Sequence, residues 1–374
     1  MDLLYYTAAH DEFRKRLRRF CANEIIPFVD QWEKDHMVPK SIWQKMGREG
    51  FLCTAVSPEY GGLGGDFLYS VIALEEVAKS NHYGLDAFLH SDIVVPYIDA
   101  YGTPGQKEKY LPGCVTGDII TAVAMTEPGT GSDLASMAAT AVDDGDAMII
   151  NGTKTFISNG VICDLIVLAV KDAAIENPYK AITLYLVESD TDGLTKGEPL
   201  DKLGVRSQDT NELFFNNCRV PKANRLGESG SGFVKLMQKL QQERLLVALL
   251  AAFKAEFVLD WTCAYLKKQG GVSQAVQFAL VEMTTELSIV RTFLDELVAD
   301  HSQGLDIDME TSMAKYSSTE VANRLTSCCL DLCGQHGTLE MAPIVRSFRD
   351  LKVTPIFAGT NEIMRGIVAK RMHL

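Results

Sequence analysis

Glu243 is the one charged member of an otherwise apolar series. Leu236, Leu240, Glu243, Val247, Leu250, Phe253 and Phe257 recur at spacings of three and four, so on a helix they share one inward face. An ionised carboxylate in such a face is costly to desolvate, and burial moves its pKa toward neutrality. A carboxyl group tuned in this way can act as a general base near neutral pH. The same residue can equally be half of a buried ion pair with an Arg from a neighbouring helix, and the stripe alone does not choose between the two roles.

Other reactive side chains lack the spacing their chemistry requires. The nine cysteines include no Cys-x-x-Cys pair; Cys328, Cys329 and Cys333 lie in the helical segment NRLTSCCLDLCGQHG, with His336 nearby. A stable metal site wants four ligands or an open site with supporting partners, so these thiols read as buried structural residues and no metal is expected. The seven histidines form no His-Glu-x-x-His pattern, and neither a Ser nucleophile elbow nor a Walker phosphate loop is present. The chemistry is therefore expected to belong to an organic cofactor.

Three kinds of element must position these groups. Residues 1–119 read as a helical domain, with Phe13, Leu17 and Phe20 at helical spacing and SVIALEEVAKS as a further helix. Residues 120–227 change to strand grammar. TAVDDGDAMIINGTKTFISNG carries Asp-Gly and Asn-Gly turn signals, and LIVLAVK, ITLYLVE and ELFFNNCRVP continue as strands, which predicts a small antiparallel β sandwich or barrel. Residues 228–374 return to long helical patterns and predict a four-helix bundle. The fold class is thus mainly α with a middle β domain. A net charge of −13 argues against nucleic acid or an anionic membrane as partner. No apolar run reaches the length of a membrane span and the first residues lack an apolar signal core, so the expected compartment is the cytoplasm.

Five segments together give the chain a family resemblance: AMTEPGTGSDL (124–134), NGTKTFISNG (151–160), DKLGVRSQDTNELFF (201–215), QQERLLVA (241–248) and FAGTNEIMR (357–365). In order and spacing they resemble the successive signatures of the acyl-CoA dehydrogenases over nearly the whole chain. The resemblance implies FAD and desaturation of an acyl-CoA thioester between its α and β carbons, with the β-hydrogen passing as hydride to flavin N5. Most members of that family carry the catalytic Glu where this chain has Ala358. A smaller branch, including the long-chain and isovaleryl types, places it on the long helix, and QQERLLVA resembles that branch, with Glu243 at the base position.

The resemblance also assigns Met125, Thr126, Gly131, Ser132, Phe156, Ser158, Gln274, Thr360 and Glu362 to the cofactor, and Ser132, Arg244, Ala358 and Gly359 to the thioester. Phe156 replaces a common Trp and Ser158 a common Thr, keeping an aromatic face and a hydroxyl. The chain departs from the family after the long helix, where KKQGGVSQAVQ lacks the Arg-x-x-Phe-Gly that grips the FAD pyrophosphate and adenine from a neighbouring subunit. Lys267 or Lys268 can restore charge there but not the guanidinium fork. Asp331 and Gln335 likewise stand at adenosine-side positions in an altered loop. As partners the resemblance implies an electron-transfer flavoprotein and a homo-oligomer, a dimer of dimers. Alternative readings are the same chemistry on a carrier-protein-bound acyl group, or a weakly flavin-binding, non-catalytic subunit of a mixed assembly.

Overall fold

Helix comes first, as the apolar spacing predicts. The computed structural model describes residues 4–270, 272–334 and 343–374. Its first part carries α1 (Ala8–Phe20), α2 (Val29–Asp35), α3 (Lys40–Arg48), α4 (Phe67–Lys79), α5 (Val95–Tyr101) and α6 (Pro104–Thr116). Thr7 caps α1 by accepting from the His10 N–H, and Asp66 caps α4 through the Leu68 N–H. A π-helical turn, Leu89–Val94, runs into α5.

Strands follow: β1 (Thr121–Ala124), β2 (Thr140–Asp144), β3 (Ala147–Ile157), β4 (Leu165–Asp172), β5 (Ile182–Glu188), β6 (Leu194–Lys196) and β7 (Asn211–Pro221), with a short helix α7 (Pro178–Ala181) before β5. They form one sheet in the order β1-β4-β2-β3-β7-β6, with β5 on β4. The sheet is not wholly antiparallel, since β4 runs parallel to both β1 and β2. Those parallel pairs require crossovers, and the loop after β1 and the β2–β3 hairpin supply the chain for them. The Asp-Gly signal does make the β2–β3 turn, with Gly145 at φ 72°. Asn151-Gly152 does not turn the chain. It sits inside β3 at a register shift against β7, where Gly152 has φ 150° and a Cβ would lie 2.4 Å from that of Ala139.

The third part holds α8 (Gly232–Lys268), α9 (Gln274–Ser302), α10 (Asp308–Leu332), α11 (Pro343–Asp350) and α12 (Asn361–Arg371). The fourth leg of the bundle is therefore split, and residues 351–360 between α11 and α12 are free to build a turn. α8 packs on α4, α9 and α10 at once. In consequence residues 244–255 are buried all round, including Arg244 and Lys254, and the apolar face predicted from spacing is one part of a fully enclosed segment. Cys329 and Cys333 are buried, whereas Cys328 is exposed, against the expectation of three buried thiols. His336 and Gln335 lie outside the described residues.

Candidate active site

Glu243 sits on α8 near Lys315 of α10, beside Gln242, which bonds to the π-helical turn. Its side chain is partly accessible, but Oε2 is sealed from solvent and has no hydrogen-bond partner among the described residues. Burial raises its pKa to about 7, against the downward pull of Arg244 and Lys315. The ion-pair alternative goes to its neighbour instead. Arg244, only 4% exposed, donates from Nη1 to Asp308 Oδ1 at 2.6 Å and to Ser312 Oγ at 3.4 Å. Its guanidinium is thus tied to α10 through Nη1, while Nε is buried with no hydrogen-bond partner among the described residues.

Lys315 of α10 completes this corner. It is fully buried, and burial, then Arg244, lowers its pKa to about 8. Its Nζ donates to the Gly359 carbonyl at 2.7 Å and to Asn361 Oδ1 at 3.2 Å. Asn361 Nδ2 in turn donates to Thr319 Oγ1 at 3.1 Å, so the turn before α12 is clamped to α10. Within it Ala358 and Gly359 both have positive φ, 55° and 90°. No described residue accepts from the Ala358 N–H, which leaves a donor for a ligand oxygen. Thr360 caps α12 by accepting from the Ile363 N–H, and Glu362 stands exposed in the first turn.

On the sheet side, the Thr155 N–H donates to the Thr126 carbonyl at 2.9 Å, drawing the segment after β1 onto β3. Lys154 and Glu127 fasten it. Lys154 Nζ donates to Glu127 Oε1 at 2.7 Å and to the Met125 carbonyl at 3.0 Å, and Glu127 also accepts from the Ala139 N–H at 3.0 Å. Both side chains of this ion pair are buried. The second register shift of β3, between Lys154 and Ile157, throws Phe156 outward at φ 57° and 68% exposure. Phe156 is therefore no part of the sheet core. An aromatic ring held out at backbone cost, next to Met125 and Thr126, fits the face of a planar cofactor. Ser158 lies partly buried in the turn that follows, and Gly131 and Ser132 are exposed on the loop beyond the tight Glu127–Thr130 turn.

The π-helical turn joins the two sides. The Asp92 carbonyl accepts from Gln242 Nε2 at 2.6 Å, next to the candidate base, and His90 Nδ1 meets Thr121 Oγ1 at 2.8 Å at the start of β1. Gln274 is the outlier. It is exposed at the first turn of α9, and the run of α8 from Glu243 to Lys268 alone spans about 37 Å. One chain does not bring it to the other residues. Lys315, Glu127 and Lys154 were missed from sequence, although Lys315 left a trace as the one cation among Thr311, Ser312, Ser318, Thr319 and Ala322, small residues that pack closely. Among the described residues no group of His, Cys, Asp and Glu is placed to hold a metal ion, and no helix is long and apolar enough to cross a membrane.

Comparison with known proteins converges on one family. Residues 7–118, 122–218 and 230–373 match the models of the acyl-CoA dehydrogenase N-terminal, middle and C-terminal domains. The chain is 40% identical to the mitochondrial long-chain specific acyl-CoA dehydrogenase of Rattus norvegicus, over 98% of this chain and 87% of that protein. An acyl-CoA dehydrogenase crystal structure from Geobacillus kaustophilus superposes with a TM-score of 0.96 at 48% identity, covering 99% of each chain. A glutaryl-CoA dehydrogenase from Mycobacterium smegmatis, solved in complex with FADH2, gives a TM-score of 0.91 at 25% identity, over 99% of this chain and 95% of that one.

Proposed function

Since the chain belongs to the acyl-CoA dehydrogenase family, and is an oxidoreductase that desaturates acyl-CoA thioesters, we propose that Glu243 is the base that takes the α-proton. The observation that carries this reading is its sealed, unpartnered Oε2, with a pKa of about 7, on the helix that faces the Ala358 turn through Lys315. An α-proton of a thioester is weakly acidic, so its removal needs a donor for the developing enolate oxygen. The unengaged Ala358 N–H is that donor, and Gly359 gives the turn its shape. Arg244 and Lys315 act on Glu243 through charge, keeping enough of it ionised at neutral pH to accept the proton.

FAD is the cofactor in this reading, and it supplies the acceptor for the hydride lost from the β-carbon. Phe156, Met125, Thr126 and Ser158 would flank its ring, with Gly131 and Ser132 on the adjoining loop and Ser132 also facing the thioester. Thr360 and Glu362 at the start of α12 would meet its nucleotide portion. Gln274 reaches that portion only from a neighbouring subunit, which goes with a homo-oligomer, a dimer of dimers. Phe278, Val281 and Ile289, all more than half exposed on α9, provide an apolar face for such assembly. The electron acceptor is an electron-transfer flavoprotein.

The test is anaerobic mixing of the purified, FAD-loaded protein with a panel of acyl-CoA thioesters while the flavin absorbance is followed. Bleaching within one turnover, lost in Glu243→Gln, is the expected result. A protein that stays colourless with excess FAD, or a Glu243→Gln variant that bleaches at the wild-type rate, overturns the proposal.

A further inference from the structure

Packing encloses α8 only from Arg244 onward. Of residues 232–243 only Gly232 and Leu236 are buried, whereas residues 244–255 are buried without exception. Glu243 is therefore the last residue before the enclosed segment, where apolar contacts no longer fix the rotation of the helix about its own axis. That rotation bears directly on chemistry. A side-chain carboxylate stands about 5–6 Å from the axis of its helix, so a rotation of about 10° carries it by about 1 Å. A misplacement of that size can cost about a hundredfold in rate.

Side-chain hydrogen bonds take over at this level. Successive residues of a helix point about 100° apart, so Gln242 and Arg244 project from the two flanks of Glu243, and Gln241 from the far side. Gln241 Nε2 donates to the Leu305 carbonyl at 3.3 Å, and its Oε1 accepts from the Ile307 N–H at 3.2 Å, both between α9 and α10. Arg244 bonds to Asp308 and Ser312 of α10. Gln242 reaches in a different direction, to the π-helical turn ahead of α5. Its Nε2 donates to the Asp92 carbonyl at 2.6 Å, and its Oε1 meets His301 Nε2 at 3.2 Å. With Oε1 as acceptor, His301 is the donor through Nε2. The His301 ring is itself set edge-on against Phe67, the first residue of α4, with centroids 4.4 Å apart. An amide engaged at both ends resists rotation of α8 on one flank, and the Arg244 bonds resist it on the other. Glu243 lies between them, its Oε2 without a partner among the described residues.

We propose that Gln242 is a positioning residue for proton abstraction: held by the Asp92 carbonyl and by His301, it fixes the rotation of α8 and with it the place of the Glu243 carboxylate. This rests on the reading of Glu243 as the base of an acyl-CoA dehydrogenase. The experiment is single-turnover reduction of the FAD-loaded enzyme by whichever acyl-CoA of the panel bleaches wild type fastest, at varied concentration. The limiting rate reports the chemical step, and its concentration dependence gives Kd. Gln242→Leu, which keeps much of the bulk and removes both bonds, should lower the limiting rate by about tenfold to a hundredfold and move Kd by less than about threefold. In the Glu243→Gln background the same change should leave the residual rate within about threefold, because no base is left to position. A lesion of the flavin or thioester site would slow both backgrounds alike. His301→Leu should lower the limiting rate by about threefold to tenfold, the worth of one hydrogen bond, and His301→Gln, which keeps an N–H donor, should restore it. That pair decides the matter if Gln242→Leu does not fold. A Gln242→Leu enzyme with the wild-type limiting rate, one whose loss lies in Kd, or one equally damaging without Glu243 overturns the inference. So does a His301→Leu enzyme no slower than His301→Gln. In those cases wild type still bleaches and the dehydrogenase reading stands. If no ester bleaches the wild-type flavin, that reading falls and takes the inference with it.

Discussion

With Glu243 as the proposed base, one proton there controls both rate and stability, in opposite directions. The base works only when ionised, so flavin reduction should rise with pH through about 7, the value to which burial raises this carboxyl. Its folded-state pKa lies above the ordinary 4.5. The stabilisation it contributes is therefore complete at pH below the unfolded value and is lost as pH rises through the folded one. Glu243→Gln has no charge to bury. Its unfolding free energy should match wild type at about pH 4 and exceed it by about 1–3 kcal/mol at about pH 8, as denaturant unfolding at the two pH values will read. Its single-turnover flavin reduction should fall by about 10² to 10⁴. Glu243 was legible in sequence because a lone carboxylate in an apolar period is visible without any partner. Arg244 was not, since spacing alone does not say that its guanidinium turns toward Asp308. The outward turn of Phe156 was not legible for the opposite reason. Its outward turn depends on a bulge against β7, and a bulge is a property of two strands rather than one.

At the scale of elements, the site depends on clamps. Lys315 holds the Gly359 carbonyl and Asn361 from α10, so its removal acts on position and charge together. Lys315→Met should lower the single-turnover rate by about tenfold to a hundredfold through displacement of the turn. Loss of its positive charge also raises the Glu243 pKa, so the acid limb of the pH–rate profile should move to higher pH. A merely structural lesion would leave that limb in place. The Glu127–Lys154 pair does the same for the segment carrying Met125 and Thr126, here with both charges buried. Lys154→Met leaves an uncompensated carboxylate and should destabilise the protein by about 3–5 kcal/mol in denaturant unfolding. The helices and strands themselves were legible, because periods of 3.6 and 2 are local. The clamps were not. Residues 127 and 154, or 315 and 359, are joined only by the fold, and nothing in either segment names its partner.

The whole molecule has an unfinished look on one face. Gln274 stands far from the other residues proposed to hold the cofactor in its own chain, and α9 presents Phe278, Val281 and Ile289 to solvent. If a second copy covers this face, Val281→Asp with Ile289→Asp should shift the mass measured by light scattering to a smaller species. The same variant should lose FAD on dialysis, since the nucleotide portion would lose its neighbour's contribution. A variant that keeps both mass and flavin would show that the face serves something else. The order of helical domain, β domain and bundle was readable from the change of period along the chain. The split of the last helix into α11 and α12 was not, although that split makes the turn at residues 356–361.

That turn has a bearing on descent. The positive φ of Ala358 and Gly359 is imposed from outside, by Lys315 and by the cap of α12, and not by the side chain at 358. A methyl and a carboxylate meet nearly the same backbone cost there. The position is an address that exists whether or not it is occupied. A lineage could therefore hold carboxylates at 243 and 358 together, lose either one, and never pass through an ancestor without a base. Moving a base from one position to the other then needs no refolding, only a single codon gained before another is lost.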